Sequence, residues 1–322
     1  MSTALVLRVC ASDGSSHGGF KWPLTVGAEV VAPDWKDNRE CGNGLHGWLY
    51  GQGDHSCADY WHQEGAQWIV VEVDSESIVE LGGKVKFPRG IVRFAGDKKS
   101  ATDFLWENEP RSRDVAVIGA SRADLRDKAM VQVGALGTAT AGDRGTATAG
   151  DGGTATAGYR GTATAGDRGT ATAGDGGTAT AGVLGTATAG VLGTATAGDS
   201  GTATAGYRGT ATAGDRGTAT AGYSGTATAG VLGTATAGDS GTATAGALGT
   251  ATAGVLGTAT AGDRGTATAG YRGTATAGEG GVISIEYYDG QRYRRLIGAI
   301  GENGLKPNTP YRVEDEKFVE AA

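Results

Sequence analysis

The chain has 322 residues, and 60 of them are glycine, well above the average usage of about 7%, so one part of it must carry the excess. Its 28 basic and 35 acidic residues give a net charge of −7, which argues against a nucleic-acid-binding domain and its basic patch. No run approaches the roughly 18 apolar residues of a membrane span, so neither nucleic acid nor membrane is an expected partner.

The opening segment, Met1-Ser-Thr-Ala-Leu-Val-Leu-Arg-Val-Cys10, alternates like a strand. It shows neither the cationic start nor the cleavage site of a signal peptide. Three cysteines are too sparse for a disulfide framework and fit reduced thiols, which predicts a cytoplasmic protein. Strands are predicted at 4–9, 28–31, 68–73 and 91–94, and short helices at 56–64, with Ser56 as N-cap, and 100–107. Together they describe a small α+β domain over 1–128.

All six tryptophans, four histidines and three cysteines precede residue 137, so conventional chemistry would belong to this domain. Its one cluster in sequence is Cys41, His46, His55, Cys57 and His62. Their spacing lacks the C-x2–4-C and H-x3–5-H pairs of zinc sites, so no metal and no cofactor is expected. His55 and Cys57 are two residues apart at a helix start and would point away from each other, which leaves no nucleophile–base pair. Arg8, the Gly44-Leu45-His46 turn and Glu72 resemble the order of groups in ADP-ribosyltransferase cores. That resemblance implies a His and a Glu holding a ribose, but no Tyr or Ser motif completes it.

From Gly137 the hexapeptide Gly-Thr-Ala-Thr-Ala-Gly recurs every eight residues, eighteen times, the last copy starting at Gly273. Residues 129–136 share the register and read as a lead-in coil, so the repeat region is taken as 129–280. Strict alternation sends both threonines to one face and the alanines to the other. A helix would lose roughly 1 kcal/mol at each glycine relative to alanine, and the Ala-Gly-x-x-Gly glycines are expected to turn the corners. One octet supplies one strand and one corner, so two octets should close a sixteen-residue coil. Tyr159, Tyr207, Tyr223 and Tyr271 follow one another at intervals of six, two and six octets and would share one edge as a ladder.

Alternate octets then place Thr138, Thr140, Thr154, Thr156, Thr170, Thr172, Thr186, Thr188, Thr202, Thr204, Thr218, Thr220, Thr234, Thr236, Thr250, Thr252, Thr266 and Thr268 on one broad face as a surface-binding array. Its hydroxyls would repeat at about 6.8 Å along a strand and about 4.8 Å between coils. The spacers carry nine acids and seven arginines, too balanced to mimic DNA. Val183-Leu184, Val191-Leu192, Val231-Leu232 and Val255-Leu256 offer an apolar edge for self-association. Residues 281–322 read as two hairpins, one turning at Asp289-Gly290 and the next at Glu302-Asn303-Gly304. Ile283, Ile285, Leu296, Ile300 and Phe318 would cap the last coil.

Ala157-Gly-Tyr-Arg-Gly-Thr-Ala-Thr164 resembles the Ala-Gly-Tyr-Gly-Ser-Thr-x-Thr unit of bacterial ice-nucleation proteins. That resemblance implies a β-solenoid with Thr-x-Thr rows and a tyrosine ladder. This chain makes every octet alike and lacks the Ser and Leu positions of the alternate octet. The whole chain is also similar to an uncharacterised family of bacterial and phage proteins with Ala-Thr-Ala-Gly octapeptides. That match rests on Cys41-Gly-Asn-Gly-Leu-His46, Lys306-Pro-Asn-Thr-Pro-Tyr-Arg312 and Lys317-Phe-Val-Glu320.

The expected fold is mainly β: an octapeptide β-solenoid, two octets to the coil, flanked by a small α+β domain and a β-hairpin cap. The expected function is non-enzymatic, with threonine rows that organise water or bind a repetitive surface such as ice. The alternative is an assembly scaffold whose N-terminal domain binds a ligand or acts as an enzyme.

Overall fold

A computed structural model describes residues 2–321 and divides the chain into two compact units. One comprises Met1–Arg122 with Gln132–Ala139, the other Ala123–Val131 with Thr140–Ala322.

The first unit is built on β1 (Thr3–Cys10), β2 (Glu29–Val31), β3 (Leu45–Leu49), β4 (Gln67–Asp74), β5 (Val79–Glu80), β6 (Val85–Phe87) and β7 (Arg89–Gly96). They form one antiparallel sheet in the order β2-β7-β4-β1-β3-β6-β5. The central strands β1 and β4 are apolar on both faces because both faces are covered. One carries Val6, Cys10, Ile69, Val71 and Val73 under Trp22 and Phe87. On the other lies α1 (Lys98–Asn108), burying Ala101 and Leu105. Asp97 starts α1 by accepting the Ser100 amide at 2.9 Å, an N-cap bond.

The helix expected at 56–64 is absent. Only a turn at His55–Cys57 forms, capped by Asp54 rather than Ser56. No residue from 52 to 67 is buried, and so short a helix needs an apolar face to hold it.

Along the chain β8 (Ser121–Asp124) and β9 (Met130–Gln132) lead into eighteen four-residue strands, which make up most of the second unit. These run from β10 (Thr138–Ala141), at intervals of eight, to β27 (Thr274–Ala277). Each pairs in parallel with the strand two octets away, as Thr202↔Thr218 and Ala203↔Ala219 show. The coil is therefore two octets long, as the spacing requires, and two sheets stack back to back. The ladder begins upstream of residue 129, where the Gly142 amide donates to Asp124 O at 2.9 Å.

Alanine and glycine fill the interior of the repeat coils: Ala203 is 0% and Ala205 3% exposed, and the first glycine of each octet is buried as well. Such a core buries little area per residue, so stability rests on closely approaching backbones and on ladders summed along the stack. The corners correct one expectation. The left-handed residue is the second spacer residue, with φ between +53° and +66° in all eighteen, and fifteen of these are Arg, Leu or Ser. The flanking glycines serve a different purpose, because they have no room for a Cβ. One on Gly217 would lie 2.8 Å from Ala213 Cβ and 2.9 Å from Gly214 O.

Downstream, β28 (Val282–Tyr288) continues the first sheet beside β26, the strand Thr266–Ala269. Ile283 and Ile285 take the places of the inward alanines and are 0% and 1% exposed. Strand β29 (Tyr293–Ala299) returns antiparallel through a four-residue loop rather than a two-residue turn. The Asp289 carboxylate organises that loop by accepting the Gln291 and Arg292 amides, both at 2.8 Å. The second hairpin lies further on than expected, between β30 (Tyr311–Glu314) and β31 (Lys317–Glu320). It turns at Asp315-Glu316, both left-handed, while 302–304 folds as a separate turn.

Candidate functional site

Thr-Ala-Thr rows cover both broad faces of the solenoid. The eighteen threonines from Thr138 to Thr268 lie on nine neighbouring strands of one sheet, alternate strands along the chain, in register from coil to coil from Thr154 on. In each strand the first threonine is exposed, apart from Thr146, Thr266 and Thr274, and the second half-buried, with alanines turned inward. Parallel strands rise about 3.3 Å per residue and lie about 4.8 Å apart. The hydroxyls thus form a near-rectangular net of about 6.6 by 4.8 Å. Branching at Cβ limits each threonine to few rotamers, which keeps the net regular. The other sheet, with Thr210 and Thr212, repeats the pattern.

The two edges differ. All four repeat tyrosines lie on one edge, within a chain of backbone bonds running from Asp143 to Tyr271. Tyr207 and Tyr223 stack with ring centroids 5.6 Å apart and planes within 6°. Asp175 and Val191 separate that pair from Tyr159, and Asp239 and Val255 separate it from Tyr271, so one stacked pair stands where a continuous ladder was expected. The Val-Leu spacers divide between the edges: Val183 and Val231 on one, Val191 and Val255 on the other. They are three and four coils apart and form no continuous apolar edge.

Sequence reasoning missed the role of the spacer aspartates. Each of the eight accepts, through Oδ1, the amide of the spacer residue one coil on, as Asp215 does from Val231 at 2.8 Å and Asp167 from Val183 at 2.8 Å. A corner amide that the strand ladder leaves free is satisfied this way. One sequence signal points to it: every acidic spacer residue occupies the first of the two positions.

In the first unit Cys41, Cys57 and His62 are exposed, and His46 and His55 half-buried. Among the described residues no three His, Cys, Asp or Glu side chains gather as metal ligands. Partial desolvation of this otherwise exposed side chain first, then Asp54, pushes the Cys57 thiol up, the opposite of an activated nucleophile. His46 is pushed down to about 4 by burial and by Lys84, Arg8 and Lys86, so it is neutral at pH 7. The ADP-ribosyltransferase-like set does not assemble. Arg8 pairs with Ile69 and Glu72 with Leu5, so Arg8 and Glu72 leave the sheet on opposite faces. Glu72 instead binds Arg93, with Nη2 at 2.8 Å.

Residues 4–106 match a family described as a domain of unknown function (DUF7666). The chain is 39% identical over 103 residues to the ice nucleation protein InaU of Pantoea ananas, covering 31% of this chain and 10% of that protein. It is 39% identical over 103 residues to an ice nucleation protein of Enterobacter agglomerans, covering 31% and 8%. Over 107 residues it is 39% identical to one of Pseudomonas syringae, covering 33% and 9%. The chain thus spans about a tenth of the length of these curated relatives. No solved structure matches it.

Proposed function

We propose that the solenoid is an ice-binding surface whose threonine rows hold water in a lattice. The observation that carries this reading is the in-register Thr-Ala-Thr net, repeated over nine coils on each face. A flat periodic array suits a crystalline ligand, whereas a small molecule needs a concave pocket. Hydroxyls bond the first water layer, and the γ-methyls between them leave that layer few other positions. The relatives named for ice nucleation support the same direction.

The test replaces Thr202, Thr204, Thr218 and Thr220 with lysine in the full chain. Thr202 and Thr218 are exposed, where losses within about 0.5 kcal/mol each are expected, and the half-buried Thr204 and Thr220 should cost more. The change cuts the nine-strand row into runs of four and three. Inhibition of ice recrystallisation and partition into growing ice should fall, and fall further when Thr210, Thr212, Thr226 and Thr228 on the opposite face are also replaced. No activity of the native chain at micromolar concentration would refute the reading and leave the solenoid as an assembly scaffold.

A further inference from the structure

A cavity of about 430 Å³ opens on the first unit, between the loop at 16–20 and the turn at 42–44. Arg8, Ser16, Phe20, Trp22, Asn43 and His46 contribute to its wall. Arg8 stands on the same face of β1 as the buried Val6 and Cys10. Its Nη1 donates to His46 O at 2.7 Å, and its guanidinium lies 4.7 Å from the centre of the Trp22 ring. Its Nε is buried without a partner, and no carboxylate forms an ion pair with it among the described residues. Burial lowers the guanidinium to about 10, which leaves it charged at neutral pH.

Arg8 as a whole is half-buried, but its unpartnered Nε is buried, and a charge partly withdrawn from water with no ion-pair partner costs a fold free energy. The wall offers no remedy. Its carboxylate, Asp34, is engaged by the Gly44 amide at 3.1 Å and Asn43 Nδ2 at 3.2 Å. Lys84 lines the adjoining recess and Lys86 is fully buried on Asn38 and Glu40 O, both adding positive field, while Asp59 favours the Arg8 charge without forming an ion pair with it. His46 Nε2 is likewise buried without a partner. The volume falls within the range of about 300–1,000 Å³ typical of small-molecule pockets, more than a lone ion fills.

We propose that this cavity binds a small molecule through an oxyanion, a phosphate or carboxylate group, for which Arg8 supplies the counter-charge. Neutral His46 accepts a hydrogen bond from a hydroxyl of the same molecule. This function is separate from ice binding and gives the first unit its own ligand.

The test titrates the full, ¹⁵N-labelled chain with inorganic phosphate, acetate and chloride at one ionic strength. Phosphate or acetate should shift the Arg8 Nε–H signal and the amides of Gly18, Gly19, Gly42 and Gly44 saturably, and chloride should not. The stronger of the two anions identifies the ligand's group. Arg8→Gln should weaken binding at least tenfold, while Arg93→Gln, on the opposite side of the sheet, leaves it unchanged. Should Arg8→Gln fail to fold, the shift map of the native chain and Arg8→Lys, weakened severalfold by loss of the planar fork, decide the matter. Shifts that follow ionic strength alone, centre elsewhere, or persist in the Arg8 variants overturn the proposal.

Discussion

Two neighbouring residues in one corner should respond to substitution with opposite sign. Gly217 has a backbone that alanine can adopt, so Gly217→Ala tests space alone. The new Cβ would lie 2.8 Å from Ala213 Cβ, 2.9 Å from Gly214 O and 3.0 Å from Gly201 O. The strand cannot withdraw freely, because the Thr218 amide donates to Gly201 O at 2.9 Å and the Gly217 amide to Gly214 O at 3.1 Å. Overpacking costs about 1–3 kcal/mol, and a lost ladder bond adds about 1 kcal/mol, so a loss of about 2–4 kcal/mol is expected. Arg216, at φ +57°, carries left-handed strain of about 1–2 kcal/mol. Arg216→Gly relieves it but adds about 0.5–1 kcal/mol of chain entropy to the unfolded state. The net expectation ranges from no change to a gain of about 1.5 kcal/mol. Guanidinium unfolding followed by far-UV circular dichroism, with hydrogen exchange at Thr218 and Ala219, measures both. The reasoning is refuted if Gly217→Ala stays within about 0.5 kcal/mol of the native chain, or if Arg216→Gly is the more damaging change.

The thiols should divide by burial: Cys10, pushed up to about 11 chiefly by burial, has about one thiolate in a thousand at pH 8. Mass spectrometry after iodoacetamide should therefore find Cys41 and Cys57 alkylated and Cys10 intact, and early Cys10 labelling would contradict its place in the core. Burial pushes the Glu109 carboxyl up, but Arg111 and the Leu5 amide, at 2.6 Å and 3.1 Å, outweigh it and hold it below the usual glutamate value. A depressed native value stabilises the fold above the unfolded one, about 4.3, and the benefit fades as pH falls through the native one. Glu109→Gln should cost about 1–3 kcal/mol at pH 7 and less at pH 3.5 in urea titrations, and an equal cost at both would refute the linkage. Removing residues 282–322 should expose the unpaired edge of the last coil and produce concentration-dependent association in sedimentation velocity, whereas a monodisperse truncated chain would deny the segment a capping role.

The solenoid was legible because one observation, the unbroken octet, fixes strand, face and coil length together. Tyr207 and Tyr223, two octets apart, expressed the same period. The corner chemistry was harder to read. Glycine normally signals a left-handed backbone, yet here Gly217 answers to crowding and Arg216 takes the left-handed position. The aspartate bonds were hidden because they cross between coils, a distance invisible to local pattern. In the first domain the strands at 4–9, 28–31, 68–73 and 91–94 followed alternation, but β3, β5 and β6 were not anticipated, β3 beginning at Leu45 where a turn was expected. The 56–64 helix failed because composition does not show that Ser56–Glu64 meets no partner surface. The lone Arg8 could not be foreseen, since only the three-dimensional neighbourhood shows that no carboxylate among the described residues forms an ion pair with it.

The pairing of octets into coils gives the array a parity. Inserting one octet between Tyr207 and Tyr223 would carry every later spacer to the other edge and unstack the two rings. The same insertion would deliver Val282–Tyr288 to the opposite sheet, where its isoleucines would have to close a different end. Inserting two octets keeps every later spacer on its own edge and the cap on its own sheet, and moves the two rings one coil further apart. Genes built of near-identical octets gain and lose single units readily, whereas the fold tolerates steps of two. The length of such arrays should therefore drift in whole coils, with odd octet numbers removed by selection on the cap rather than on the threonine faces.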